Sequence, residues 1–182
     1  MTGRWSILPW IYELGKVALV LVVLGLLVHY FVMTIFAIEG VSMEPTFEGG
    51  ELVLVNRIIY RANEPKRGDV VLLRFPGREE EKYIKRIIGL PHEVVKIQNS
   101  EVYINDQKLK EDYLSPYQNT TPDMEKTLSD DEFFVMGDNR PNSNDSRIWG
   151  PCPKKNLIGK AIFILYPLSE WMPIGIADYS TI

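Results

Sequence analysis

The sequence predicts a mostly β protein: an N-terminal transmembrane helix followed by a β-rich domain, open-barrel or sandwich-like, with a small insertion. Two observations predict it. Residues 17–38 run for 22 positions without Asp, Glu, Lys or Arg, and about 20 such residues cross a bilayer core as a helix. After them, short apolar and β-branched runs recur between turn residues, and no later segment keeps a long helical period. A chain of 182 residues has room for one domain with a modest insertion. With 46% hydrophobic and 24% charged residues it is neither disordered nor fibrous. One Cys and two His leave too few ligands for a zinc or iron–sulfur site of those residues. A net charge of -4 opposes general nucleic-acid binding, which needs a basic face.

The apolar run is interrupted only by Gly25, His29 and Thr34. A cleaved signal peptide is the rival reading, but its apolar region is shorter, about 7–15 residues, and ends on an A-x-A pattern. Here the run ends Phe36-Ala37-Ile38-Glu39, so a retained anchor is expected. Arg4 and Lys16 precede it, and Glu39, Glu44, Glu48 and Glu51 follow before the first basic residue, Arg57. The positive-inside rule then places residues 1–16 in the cytoplasm and residues 39–182 outside, as a single-pass protein of the cell membrane in contact with lipid. His29 is read as a neutral residue in the span.

In the outer domain, strands are expected over 52–55, 70–75, 83–88, 94–97, 102–104, 133–136 and 157–166. Gly49-Gly50, Pro76-Gly77, Asn99-Ser100 and Asn105-Asp106 supply turns between them. Residues 108–131 are polar, carry Pro116 and Pro122, and read as a loop or small subdomain. Two C-terminal apolar stretches, 163–168 and 171–176, are broken by Pro167 and Pro173. The first reads as core; the second reads equally as core or as an edge resting on the membrane.

Three places can carry chemistry. Ser42, in Ser42-Met43-Glu44-Pro45-Thr46, lies four residues beyond the expected span, although Pro45 and Gly49-Gly50 alone would justify a turn there. On the strand 83–88, Lys85 shares a face with Tyr83 and Ile87, and Arg86 shares the other with Ile84 and Ile88. One of these two cations therefore faces packed apolar surface, where desolvation favours a neutral amine that could take a proton from a serine. An edge strand guarded by Lys and Arg is the plain alternative. The third place is the polar loop 137–147, which mixes Asp138, Ser143, Asp145 and Arg147. It is either a solvated turn or a platform that orients a catalytic group. A Ser–His–Asp triad would have to use His92, in a turn after Pro91. Neither metal-ligand spacing nor a phosphate-binding glycine loop is present in the sequence. Cys152, between two prolines, reads as structural.

In order, the anchor, 42–46, Arg67-Gly68-Asp69-Val70-Val71, Lys85-Arg86-Ile87-Ile88-Gly89-Leu90-Pro91 and 137–147 resemble bacterial type I signal peptidases, in the smaller single-anchor, Gram-positive-like form. The resemblance implies a membrane-bound serine endopeptidase with a Ser–Lys dyad on a mostly β fold and no cofactor. Ser42 is then the nucleophile and Lys85 its general base. Ser143 hydrogen-bonds the lysine amine, Asp145 and Arg147 hold the loop, and Asp138 supports it. The Ser42 backbone N–H receives the oxyanion. Substrates are preproteins whose signal peptides end in small residues, and Ile38, Met43, Phe47 and Ile84 match the family's apolar pockets. The chain departs from the family twice. Gly40 stands where some members carry a hydroxyl, and His92-Glu93 replaces Gly-Asp after Pro91. Self-cleaving repressors share the dyad but carry a DNA-binding helix pair in place of the anchor. The reading from another class is a catalytically silent, membrane-tethered β module that binds exported proteins.

Overall fold

The computed structural model describes residues 8–115 and 118–175, with the side chains of residues 8 and 28–30 left aside. Arg4, the His29 side chain, Pro116 and Ile176 fall outside that description. The apolar run divides between two kinds of structure. The helix α1 (Leu8–Phe31) begins well before it, and its 24 residues extend about 36 Å. Its most apolar stretch, Pro9–Leu27, has a mean hydropathy of 2.0 and none of it is buried against the rest of the chain. Lys16 and Glu13 pair on its surface at 2.8 Å.

The expected span is corrected at its far end. Met33–Ala37 forms β1, antiparallel to β2 (Leu52–Asn56), and Arg57 N–H donates to Val32 carbonyl at 2.8 Å. Thr34, Ile35 and Phe36 suit a pleated sheet as well as they suit lipid, and an available partner strand decides between the two. Ser42 consequently stands 11 positions beyond the helix end at Phe31, with a strand between them.

A short helix α2 (Ile59–Ala62) leads to β3 (Val70–Phe75) and the long β4 (Arg78–Gly89). Then come β5 (Val94–Gln98), β6 (Glu101–Ile104), β7 (Gln107–Lys108), β8 (Met124–Thr127) and β9 (Glu132–Met136). The one-turn helix α3 (Ser146–Trp149), β10 (Cys152–Pro153) and β11 (Leu157–Tyr166) complete the order. They form a seven-stranded sheet, β1-β2-β11-β3-β4-β9-β10, and a four-stranded sheet, β7-β6-β5-β8. Every strand expected from sequence is present, and β4 is longer than expected because its charged first half continues the ladder with β3.

The small sheet is built by local chemistry. Asn99-Ser100 and Asn105-Asp106 all have φ between 49° and 65°, the conformation a two-residue type I′ hairpin requires and Asn and Asp tolerate best. Part of the expected loop 108–131 belongs to this sheet: β8 crosses back to pair with β5. It is a polar edge strand, so alternation does not reveal it. One cluster joins the sheets, with Ile88, Phe134 and Met136 of the large sheet against Val95, Ile97, Val102, Ile104, Leu109 and Leu128. Gly89 permits this approach, since a Cβ there would lie 2.4 Å from Val95 Cγ2. A second cluster packs Ile38, Met43 and Phe47 against Val53, Val55, Val70, Leu72 and Ile84, and so fixes the segment that carries Ser42. At the C-terminus, residues 171–174 fold along β11, with Phe163 and Trp171 edge to face at 5.6 Å. Trp171, Met172 and Leu168 remain exposed.

Candidate active site

The Ser42 segment is a loop closed at its base. Ile38 N–H donates to Glu51 carbonyl at 2.8 Å and Gly50 N–H to Ile38 carbonyl at 2.9 Å. Met43 and Phe47 are buried to 1% exposure and anchor it from below. Across from it, β4 carries Lys85, whose Nζ lies 2.7 Å from Ser42 Oγ and 3.0 Å from the Ile84 carbonyl, to which it donates. Lys85 is 3% exposed, and among the described residues no carboxylate forms an ion pair with it. Burial disfavours the ammonium and lowers its pKa to about 8, against the pull of the Asp145 and Asp138 carboxylates; Arg147 pushes further down. In the neutral amine one N–H serves Ile84 and the lone pair is free to accept the Ser42 hydroxyl.

Arg86 points to the opposite face of β4 and keeps its charge by pairing. Its Nε and Nη2 donate to Asp138 at 2.9 and 2.6 Å, and Nη1 donates to Gly68 carbonyl at 3.0 Å. Thr46 closes the group, donating to Asp138 at 2.5 Å and accepting from Arg86 at 3.2 Å. Both members of the ion pair are buried, so each depends on the other for its solvation. Asn139 N–H, one residue on, donates to the Ser42 carbonyl at 3.1 Å. The loop after β9 therefore grips the backbone of Ser42. Sequence reasoning missed Thr46, which had no distinguishing feature beyond its closeness to Ser42.

The rest of that loop is held by Asp145. It accepts from Gly137 N–H at 3.0 Å and from Arg147 Nε and Nη2 at 2.8 and 2.7 Å, and caps α3 through Arg147 N–H. Asp145 and Arg147 thus form a buried ion pair within the loop. Ser143 differs. Its hydroxyl is buried, has no hydrogen-bond partner among the described residues, and does not meet the lysine amine. It packs instead against Gly137, where a Cβ would lie 2.3 Å from Ser143 Oγ and 2.4 Å from the Ser42 carbonyl oxygen. The Lys85 amine meets Ser42 and Ile84 instead.

A cleft opens over the Ser42–Lys85 pair, lined by Phe36, Glu39, Ser42, Lys82, Tyr83, Ile84 and Lys85. Of the four expected apolar pocket residues, Ile84 lines it, whereas Ile38, Met43 and Phe47 lie in the core. Phe36 was concealed by the apolar run. Gly40 has φ +80° with open space around it. His92 sits on the turn after β4, 71% exposed at its side chain, with Asp130 at 3.6 Å as its charged neighbour, so nothing couples it to Ser42. It adopts φ +67° where a glycine would be favoured, and Glu93 accepts from Arg67 at 2.6 and 2.8 Å and from Leu90 N–H at 2.7 Å. The turn survives the replacement, with strain at His92. Cys152 is buried, which pushes its thiol up to about 12 and removes it as a nucleophile.

Residues 11–166 match the family described as signal peptidase, peptidase S26. A probable signal peptidase I-1 of Synechocystis is 38% identical over 177 residues, covering 92% of this chain and 89% of that protein. Signal peptidase I S of Bacillus subtilis is 38% identical over 181 residues, covering 93% and 95%. A solved signal peptidase I from Enterococcus faecalis is similar at 32% identity and a TM-score of 0.48, over 54% of this chain and 97% of that one.

Proposed function

The chain belongs to the signal peptidase family, peptidase S26, and is a serine peptidase; from that premise we propose that Ser42 and Lys85 are its catalytic dyad and that it cuts signal peptides from exported preproteins after small residues of the A-x-A type. The observation that carries the reading is the 2.7 Å approach of a buried Lys85 amine to Ser42 Oγ at the floor of an open cleft. Neutral Lys85 takes the Ser42 proton as Oγ attacks the scissile carbonyl. The resulting ammonium gives the proton to the leaving amine, and the regenerated neutral Lys85 then activates the water that hydrolyses the acyl-enzyme. The Ser42 N–H stabilises the oxyanion. Its peptide neighbour is fixed through the Asn139 bond to the Ser42 carbonyl. Asp138, Asp145 and Arg147 act by positioning this loop, and Ser143 by packing against Gly137.

Membrane tethering is part of the proposal. The α1 helix serves as a single-pass anchor with a cytoplasmic N-terminus, and β1 carries the domain from the lipid to the cleft at the outer face. Arg4 and Lys16 on the N-terminal side, with no Lys or Arg between Phe31 and Arg57, support that orientation. The test is cleavage of a preprotein by the detergent-solubilised full chain beside Ser42→Ala, with the new N-terminus sequenced. Cleavage after A-x-A that disappears in the variant is the expected result. Binding without cleavage, or equal cleavage by both, would return the chain to a membrane-tethered binding module.

A further inference from the structure

A segment distant in sequence from the dyad is fastened to it by buried charge. Arg140, three residues past Gly137, has a fully buried guanidinium. Its Nη1 and Nη2 donate to the two Glu111 carboxylate oxygens at 2.9 and 2.5 Å, a bidentate fork. Nη2 also donates to Tyr113 OH at 3.1 Å, and Tyr113 OH donates to Glu111 at 2.7 Å. Nε turns back to the Gly137 carbonyl at 3.1 Å, while the Arg140 carbonyl accepts from Arg147 Nη2 at 2.7 Å. The Tyr113 ring lies 4.2 Å from the Arg86 guanidinium, which pairs with Asp138. Tyr113 thus touches both cations that border the loop 137–140, and Glu111 pairs with one of them, Arg140. That loop meets the nucleophile directly, through Asn139 N–H on the Ser42 carbonyl.

We propose that Glu111 is a positioning residue for the Ser42–Lys85 dyad: by neutralising buried Arg140 it holds the loop 137–140 against the Ser42 backbone. The inference rests on the dyad reading above. A buried guanidinium deprived of its carboxylate seeks water or another acceptor, and here any such movement pulls on Gly137 and on the Arg147 contact. The loss reaches Ser42 through Asn139 and leaves the cleft walls on β1 and β4 untouched. Glu111 is accordingly expected to govern the chemical step and to have no part in holding substrate.

The experiment uses the full chain in detergent, comparing wild type with Glu111→Gln, which keeps size and removes charge, and with Tyr113→Phe, which removes one hydroxyl. Preprotein cleavage is measured well below the melting temperature, and amide hydrogen exchange is followed in the peptides covering 137–142 and 132–136. Glu111→Gln is expected to lower kcat by about tenfold or more with KM unchanged. It should speed exchange over 137–142 by a similar factor and leave 132–136 protected. Tyr113→Phe should move the same quantities in the same direction by about two- to threefold. A variant that melts earlier but retains wild-type kcat and loop protection would make Glu111 merely structural and overturn the inference. So would a change confined to KM. If the wild type itself fails to cleave, the dyad reading falls, and the exchange data still decide whether Glu111 holds the loop. Should Glu111→Gln not fold, unchanged exchange over 137–142 in Tyr113→Phe overturns the inference by itself.

Discussion

Lys85 and Arg86 are neighbours on β4, both almost closed to solvent, yet the protein treats their charges in opposite ways. On one face Arg86 meets Asp138 with two hydrogen bonds and keeps its charge. On the other, Lys85 meets a hydroxyl and a carbonyl, and burial draws its pKa down to about 8. On the proposed reading, the difference teaches how one strand supplies both a base and a brace. A guanidinium cannot be deprotonated in a protein, so a buried Arg must be paired. An ammonium can lose its proton, so a buried Lys left without a carboxylate becomes a base.

The comparison breaks most sharply by exchanging the two chemistries. Lys85→Arg should abolish turnover, by about 10³-fold or more, because the base can no longer become neutral. Preprotein cleavage at fixed pH measures it, and substantial residual activity would remove Lys85 from its role. Lys85→Met should be equally inactive yet more stable at pH 7. The folded-state pKa lies below the ordinary value of 10.5, so below about pH 8 the folded protein carries a buried ammonium. That costs about 3 kcal/mol, a penalty that fades as pH rises toward 10.5. Denaturant midpoints of wild type and Lys85→Met should therefore converge between pH 8 and 10.5.

On the paired face, Asp138→Ala should destabilise the domain by about 3–5 kcal/mol, because it strands Arg86 and frees Thr46. Equilibrium unfolding measures it; a loss below about 1 kcal/mol would mean that Arg86 finds another acceptor. Titration sharpens the contrast further. kcat/KM should fall about tenfold per pH unit below about 8 and level off above it, since only neutral Lys85 accepts the Ser42 proton. A profile flat from pH 6 to 9, with chemistry rate-limiting, contradicts a titrating amine. The smallest effect lies at the far end of β4. His92→Gly should relieve the positive φ and stabilise by up to about 1 kcal/mol, with turnover unchanged. A large change in turnover would bring the exposed His92 back into the chemistry.

Much of the site was legible because its residue types are unusual where they stand. A serine just after an apolar run, adjacent cations in a β-branched strand and an Asp-, Ser- and Arg-rich loop all call for a reason. Arg140 gave no such cue, because an Arg in a polar loop reads as solvated and its burial depends on Glu111, 29 positions away. Ser143 lies in that loop, but its hydroxyl packs against Gly137, a contact that no sequence pattern announces. Met43 and Phe47 are apolar for the core they complete, and nothing in their side chains distinguishes a core position from a pocket position.

By itself the sequence determined what chain-local chemistry can determine. Alternation and β-branching specified the main strands, paired Asn and Asp turns specified the tight hairpins, and an apolar run without charged residues specified a helix able to cross a membrane. Tertiary structure alone decided where that run changes from helix to strand, because β1 exists only where β2 offers its edge. It also decided the fate of the two cations. Ser42 comes to Lys85 from 43 positions away and Asp138 comes to Arg86 from 52. A side chain's periodicity records which face it occupies, but the proton it keeps or loses is set by the partners that distant strands bring to that face.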